Sequence, residues 1–157
     1  MKTENLLLTV GNSMMGDDGA GPLLAELCAT GQPVGWHILD GGSTPENVTH
    51  QIVELAPRRV VVVDAAEMGL SAGEVRRVDE RSIAEMFFMT THNLPLSFLI
   101  ERLREHVPEV LFLGIEPAVV AFYYPMSVVV RQAVEALHAS LCAGNGFDHY
   151  PWLNAAN

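Results

Sequence analysis

Basic residues are scarce in this chain. Lys and Arg number 9 against 19 Asp and Glu, giving a formal net charge of −10 and a pI near 4.9. So small a cationic footprint argues against nucleic acid as a partner, and equally against anionic membrane surfaces. A basic or metal-bearing partner is compatible with it. Cysteine is almost missing: Cys28 and Cys142 lie far apart and belong to no C-x-x-C pair. They read as small buried thiols of a reducing compartment, not as a disulfide framework or a zinc site. No apolar run reaches the roughly 18–20 residues that a membrane span needs, so no membrane insertion is expected. The N-terminal apolar stretch is five residues long and runs straight into a Gly-rich loop. It reads as a first strand and not a signal peptide, which makes the cytoplasm the expected location. Repeats, low-complexity tracts and linkers are absent.

What is present describes one well-filled domain. At 157 residues and 49% hydrophobic, the chain buries about two-thirds of its unfolded surface. Apolar blocks alternate with helical patterns, the signature of an α/β fold with a mainly parallel sheet. Leu6–Val10, Gly35–Leu39, Val60–Val63 and Val110–Ile115 read as strands, and Glu74–Val78 as a short edge strand of weaker alternation, antiparallel in one arrangement. Pro22–Thr30, Pro45–Glu54, Leu94–Glu105 and Met126–Leu141 have helical spacing. Residues 143–157 mix Gly, Asn and aromatics without periodicity and read as an irregular tail. The expected architecture is a single domain over residues 1–157, with a twisted, mostly parallel five-stranded sheet and helices on both faces.

The most informative segment is Gly11-Asn12-Ser13-Met14-Met15-Gly16-Asp17-Asp18-Gly19-Ala20-Gly21, directly after the first strand. A strand, a Gly-rich loop and a helix together usually cradle phosphate on free backbone N–H groups. Gly11 and Gly16 have P-loop spacing, but that motif continues with Lys and Ser/Thr. Asp17 and Asp18 stand there instead. A polyphosphate would meet two carboxylates, which disfavours nucleotide binding; the loop suits a metal ion, a proton or a cationic group.

Ligands of open parallel sheets bind beyond the carboxyl ends of the strands. The first strand delivers Asp17 and Asp18 to that rim, the second Asp40, the third Asp64 and the last Glu116, and no Lys or Arg follows these strands to neutralise them. Carboxylates brought close together raise one another's pKa unless a cation sits between them. A nitrogen ligand is available in Thr90-Thr91-His92-Asn93-Leu94-Pro95, where His92 precedes a helix. Two carboxylates and a histidine form a mixed O/N set with coordination positions left open. The same set could serve acid–base chemistry without a metal.

Plainer roles exist for each residue. Asp17 is expected to N-cap the following helix, and Asp18 is equally readable as a first-turn acid favoured by the helix dipole. Asp64 could simply terminate its strand, although acids at the ends of central strands are more often functional. Asp40 and Glu116 are left as structural or supporting groups. His37, His50, His106, His138 and His149 are expected in solvated or core positions. Met86–Met89 and Phe122–Pro125 are expected in the core; exposed near the rim, they would make an apolar groove for a protein partner.

These segments together resemble the hydrogenase maturation endopeptidases. The resemblance rests on Val10–Pro22, Asp40-Gly41-Gly42-Ser43, Val63-Asp64-Ala65, Met89-Thr90-Thr91-His92-Asn93, Phe112–Pro117 and Phe122–Met126, which run in the family's order and cover Leu6 to about Leu141. The Gly-Asn-x-x-x-Gly-Asp-Asp loop combined with Thr-His-Asn is its most specific part. The resemblance implies a twisted mixed sheet with helices on both faces. It also implies hydrolysis of a peptide bond, of aspartic type, that removes a C-terminal extension from the precursor of a [NiFe] hydrogenase large subunit after nickel insertion. Asp18, Asp64 and His92 match the family's three metal-contacting positions, where they would engage nickel supplied by the substrate and take part in catalysis. Many relatives carry Glu where this chain has Asp18.

Whether the ion polarises the scissile carbonyl or an Asp activates water by itself stays open at this level. No nucleophile elbow with a Ser–His or Cys–His pair is present, which argues against an acyl-enzyme. The alternative from another class is a non-catalytic, nickel-dependent checkpoint or chaperone that binds the precursor without cutting it.

Overall fold

The apolar blocks fold into a sheet whose interior strands are covered on both faces. In the computed structural model, which describes residues 4–79, 81–83 and 96–153, the strands are β1 (Asn5–Val10), β2 (Trp36–Gly42), β3 (Arg59–Ala65), β4 (Val75–Val78) and β5 (Glu109–Ile115). The helices are α1 (Ala20–Thr30), α2 (Thr49–Leu55), α3 (Leu96–Arg104) and α4 (Val128–Cys142). The spatial order is β2-β1-β3-β5-β4. All pairings are parallel except that of edge strand β4, which runs antiparallel to β5.

Residues alternate between two cores along each central strand, as a period of two requires. Leu6, Leu8, Val60, Val62 and Phe112 face α2 and α3, packing with Ile52, Leu99, Ile100 and Leu103. Leu7, Val61, Val63, Leu111 and Leu113 face α1 and α4, packing with Leu24, Cys28, Val134 and Leu137. β3 is buried from Val60 to Asp64, which explains its unbroken run of β-branched residues. Each such side chain contributes about 1.5–3 kcal/mol on burial. The five-stranded, mostly parallel sheet with helices on both faces agrees with the expected architecture.

Boundaries moved for identifiable reasons. The first helix begins at Ala20, not Pro22, because a 3-10 turn at Gly16–Gly19 leads directly into it. The second splits into a 3-10 turn at Pro45–Val48 and the α-helix Thr49–Leu55. β2 continues through Asp40-Gly41-Gly42, with a register irregularity opposite Thr9 and Val10. β3 extends to Ala65, so Asp64 lies inside the strand and does not follow it. α4 starts two residues later than its hydrophobic pattern, after the cap at Ser127.

The tail is irregular but not idle. Phe147 is fully buried and meets the Trp36 ring edge-on at 5.5 Å. Further on, Arg77 N–H donates to the Pro151 carbonyl and Leu153 N–H to that of Arg77. The Arg77 guanidinium lies 4.4 Å over the Trp152 ring. The otherwise open edge of β4 is thereby covered over part of its length, one of the ways proteins blunt exposed strand edges.

The topology fixes where a ligand would sit. From β1 the chain crosses through α1 to β2 on one side. It then returns through α2 to β3 on the other side of β1. The carboxyl ends of β1 and β3 flank this switch point, where open α/β sheets place their crevice.

Candidate active site

The loop after β1 reaches the switch point by folding tightly back on itself. Gly11 adopts φ of +144°, and a Cβ there would lie 2.1 Å from the Asp18 carbonyl oxygen, so only glycine permits the close approach. Asn12 supports the turn with its side chain, accepting from Met14 N–H at 2.9 Å. Its backbone N–H donates to Asp18 Oδ2, also at 2.9 Å. Gly16 follows at φ +61°, with Val119 O 2.7 Å from the position a Cβ would take. The four residues Gly16–Gly19 are all buried, and this turn packs against β3. Asp18 and Asp64 therefore arrive at the same end of the sheet from adjacent strands, and both are almost completely buried.

The third expected site residue, His92, lies outside the described residues, as does the Met86–Met89 stretch. Among the described residues no group of three or more His, Cys, Asp or Glu side chains is arranged to hold a metal ion. The described part of the site thus supplies two carboxylates, which suit a hard or borderline cation with its remaining ligands drawn from elsewhere.

Asp17 does something other than cap the next helix. Its buried carboxylate accepts the backbone N–H groups of Ala118 (2.8 Å), Val119 (3.0 Å) and Ser127 (2.7 Å) and the Ser127 hydroxyl. Its own N–H donates to the Val119 carbonyl at 2.8 Å. Burial pushes the Asp17 carboxyl up, but the N–H groups of Ser127, Val119 and Ala118 and the Ser127 hydroxyl together hold it below its ordinary 3.8. A charged carboxylate is well served by such donors. Asp17 is the clamp between the loop after β1 and the loop after β5. A pattern-based reading chooses the nearest helix as its partner; nothing local signals a partner more than 100 residues away.

The remaining acids brace the same rim. Glu116 Oε1 accepts N–H groups of Met68 (2.7 Å) and Leu70 (3.1 Å), tying down the loop that follows Asp64. Asp40 Oδ1 accepts the Thr9 hydroxyl at 3.0 Å and Gly42 N–H at 3.1 Å. One expectation about charge needs correcting: the rim is not without a basic residue. Because β4 is antiparallel, Arg76 pairs in register with Gly114 near this end, where it is matched by Glu74 at 3.0 Å.

Two further expectations are corrected. Phe122, Tyr123 and Tyr124 are exposed, not core, because they lie on the loop between β5 and α4 that Asp17 clamps. Cys142 is exposed, with its sulfur 3.3 Å from His138 Nε2. Cys28 is buried as expected, and burial, with a smaller contribution from Cys142, pushes its thiol up to about 11, so it stays protonated and inert. A cavity of about 630 Å3 between α2 and α3 is lined by His50, Leu99, Arg102 and His106 among others, and none of the acids of the strand ends borders it.

Comparison with known proteins points one way. A family model described as hydrogenase maturation protease, HycI, matches residues 23–143. The hydrogenase 3 maturation protease of Escherichia coli strain K12 is 56% identical over 144 residues, covering 90% of this chain and 92% of that protein. The solution structure of the endopeptidase HycI from Escherichia coli superposes with a TM-score of 0.90 at 51% identity, covering 98% and 99% of the two chains. A [NiFe] hydrogenase maturation protease from Thermococcus kodakarensis gives 0.79 at 26% identity, covering 92% and 93%.

Proposed function

The chain belongs to the hydrogenase maturation protease family, and from that premise we propose that it is the endopeptidase that removes the C-terminal extension of a [NiFe] hydrogenase large-subunit precursor once nickel has been inserted. The observation that supports this reading is the burial of Asp18 and Asp64 at the carboxyl ends of two neighbouring strands, beside the switch point of the sheet. Acids at such a position suit a cation or a proton transfer.

In the proposed reaction Asp18, Asp64 and His92 engage the nickel carried by the precursor, so that the metal is a feature of the substrate and reports its own insertion. The peptide bond then lies beside carboxylates able to take a proton from an attacking water, which is aspartic-type hydrolysis. Water adds to the scissile carbonyl, the proton passes to the carboxylate and then to the departing amine, and two peptide termini result. Few ligands suffice on the protease because the precursor contributes the others. The cytoplasm is the location we propose for the reaction. The two described cysteines are free, and no described helix is long and apolar enough to cross a membrane.

The test is the mass of the precursor after incubation with the purified protein, with and without nickel. Loss of the extension only in the nickel-loaded sample is the expected result. An unchanged mass with nickel present, accompanied by stable binding, would replace the protease with the nickel-dependent checkpoint or chaperone.

A further inference from the structure

Beside the buried acids lies a surface of unusual composition for so acidic a chain. Phe122 is 56% exposed, Tyr123 74%, Tyr124 59% and Val128 70%, and Met14 and Val119 complete the group. We propose that this apolar lip seats an extended stretch of the precursor polypeptide next to the bond to be cut, a stretch carrying apolar side chains with Lys or Arg nearby. The inference rests on the endopeptidase reading and assigns the residues that grip its substrate.

The lip is held where it is by the site itself. Asp17, the neighbour of Asp18, binds three backbone N–H groups at the two ends of the loop that carries the aromatics. Tyr123 N–H donates to the Met14 carbonyl at 2.7 Å and Tyr124 N–H to that of Ala121 at 3.2 Å. Gly16 passes close under Val119. Any shift of the Asp18 turn is therefore transmitted to the lip, and the reverse.

Tyr123 adopts φ of +63°, a conformation that costs a bulky residue about 1–3 kcal/mol and persists only where surroundings impose it. Its ring stacks at a tilt on Phe122, 4.2 Å between centroids. The same backbone that makes the Tyr123–Met14 hydrogen bond holds both rings out in solvent. Rigid aromatic side chains lose little entropy on association, and for that reason they dominate binding energy in interfaces.

Charge selects the occupant. The chain carries −10, and Asp18, Asp40, Asp64 and Glu116 crowd the adjoining strand ends while Arg76 is matched by Glu74. A second copy would bring the same negative charge to its partner, and an anionic membrane would be repelled. An apolar segment with positive charge meets both the rings and the field.

The experiment compares wild type with the Phe122→Ser/Tyr124→Ser double variant and with Val128→Ser, using nickel-loaded large-subunit precursor as the probe. Val34→Ser, 95% exposed in the α1–β2 connection, is the control. Circular dichroism and melting check that each variant folds. The expected result is a rise in KM of about 10- to 100-fold for the double variant, a smaller rise for Val128→Ser and none for the control, while kcat falls far less than KM rises. A KM within about twofold of wild type in the folded double variant overturns the inference and leaves the endopeptidase reading intact. If wild type fails to cut, that reading is lost, and precursor binding decides the lip instead: weaker binding by the double variant supports it, equal binding overturns it.

Discussion

The two ends of the sheet handle charge in opposite ways. At the amino end Arg59 bridges Glu109 and Asp148, and Glu4 and Arg58 border the same shallow cavity of about 400 Å3. Acid and base there are matched by side chains. At the carboxyl end Asp17, Asp18, Asp40 and Glu116 are held chiefly by backbone N–H groups and hydroxyls. Amide donors orient a carboxylate without cancelling its charge. The amino end thus pairs acid with base through side chains, whereas backbone donors and hydroxyls meet the acids of the carboxyl end.

Replacing Asp64 by Asn should break the contrast most severely. If Asp64 acts as the general base or ligand proposed above, processing should fall about 10²- to 10⁴-fold, far more than any loss of melting temperature accounts for. Parallel loss of activity and stability would mean that Asp64 is structural.

Asp17→Asn sharpens the same contrast from the other side, since it touches the clamp and leaves Asp18 and Asp64 in place. Losing the charge weakens the hydrogen bonds from Ala118, Val119 and Ser127. That should cost about 2–3 kcal/mol, or about 4–12 °C in melting temperature for a chain of this size. Its pH dependence has a definite sign. The folded carboxyl is held below its ordinary 3.8. Its contribution is therefore present above that value and lost as pH falls through the lowered one. Urea titrations should show wild type and the Asp17→Asn variant converging below pH 3.8 and fully apart near neutral pH.

The smallest effect is expected at the amino end. Arg59→Met removes two ion pairs whose acidic partners are 61% and 70% exposed, so stability should change by about 1 kcal/mol or less. Processing should be unaffected; a large loss there would erase the distinction between the ends.

Much of this was legible in the chain. Val60–Val63 reads as a strand buried on both faces and Gly11–Gly19 as a tight strand-to-helix connection, because those patterns are local; only the helix start at Ala20 is missed. That Asp18 and Asp64 lie at the same end of neighbouring strands follows from the rule that loops beyond parallel strands share one rim, once the strands are placed. What was not legible is long-range. Asp17 finds its donors on Ala118, Val119 and Ser127. Phe147, in a stretch without periodicity, fills a core against Trp36, and Arg76 reaches the acidic rim only because β4 reverses direction. Phe122–Tyr124 read as core because apolar aromatics usually are, and the clue to their exposure, a clamped loop with Tyr123 at positive φ, exists only in three dimensions.

Nickel K-edge absorption of the loaded precursor, alone and freeze-quenched with the protein before cleavage, tests the central claim most directly. New oxygen and nitrogen scatterers in the nickel shell, diminished with Asp18→Asn or His92→Ala, are predicted. A spectrum unchanged by the protein, in a sample that goes on to be cut, would contradict it.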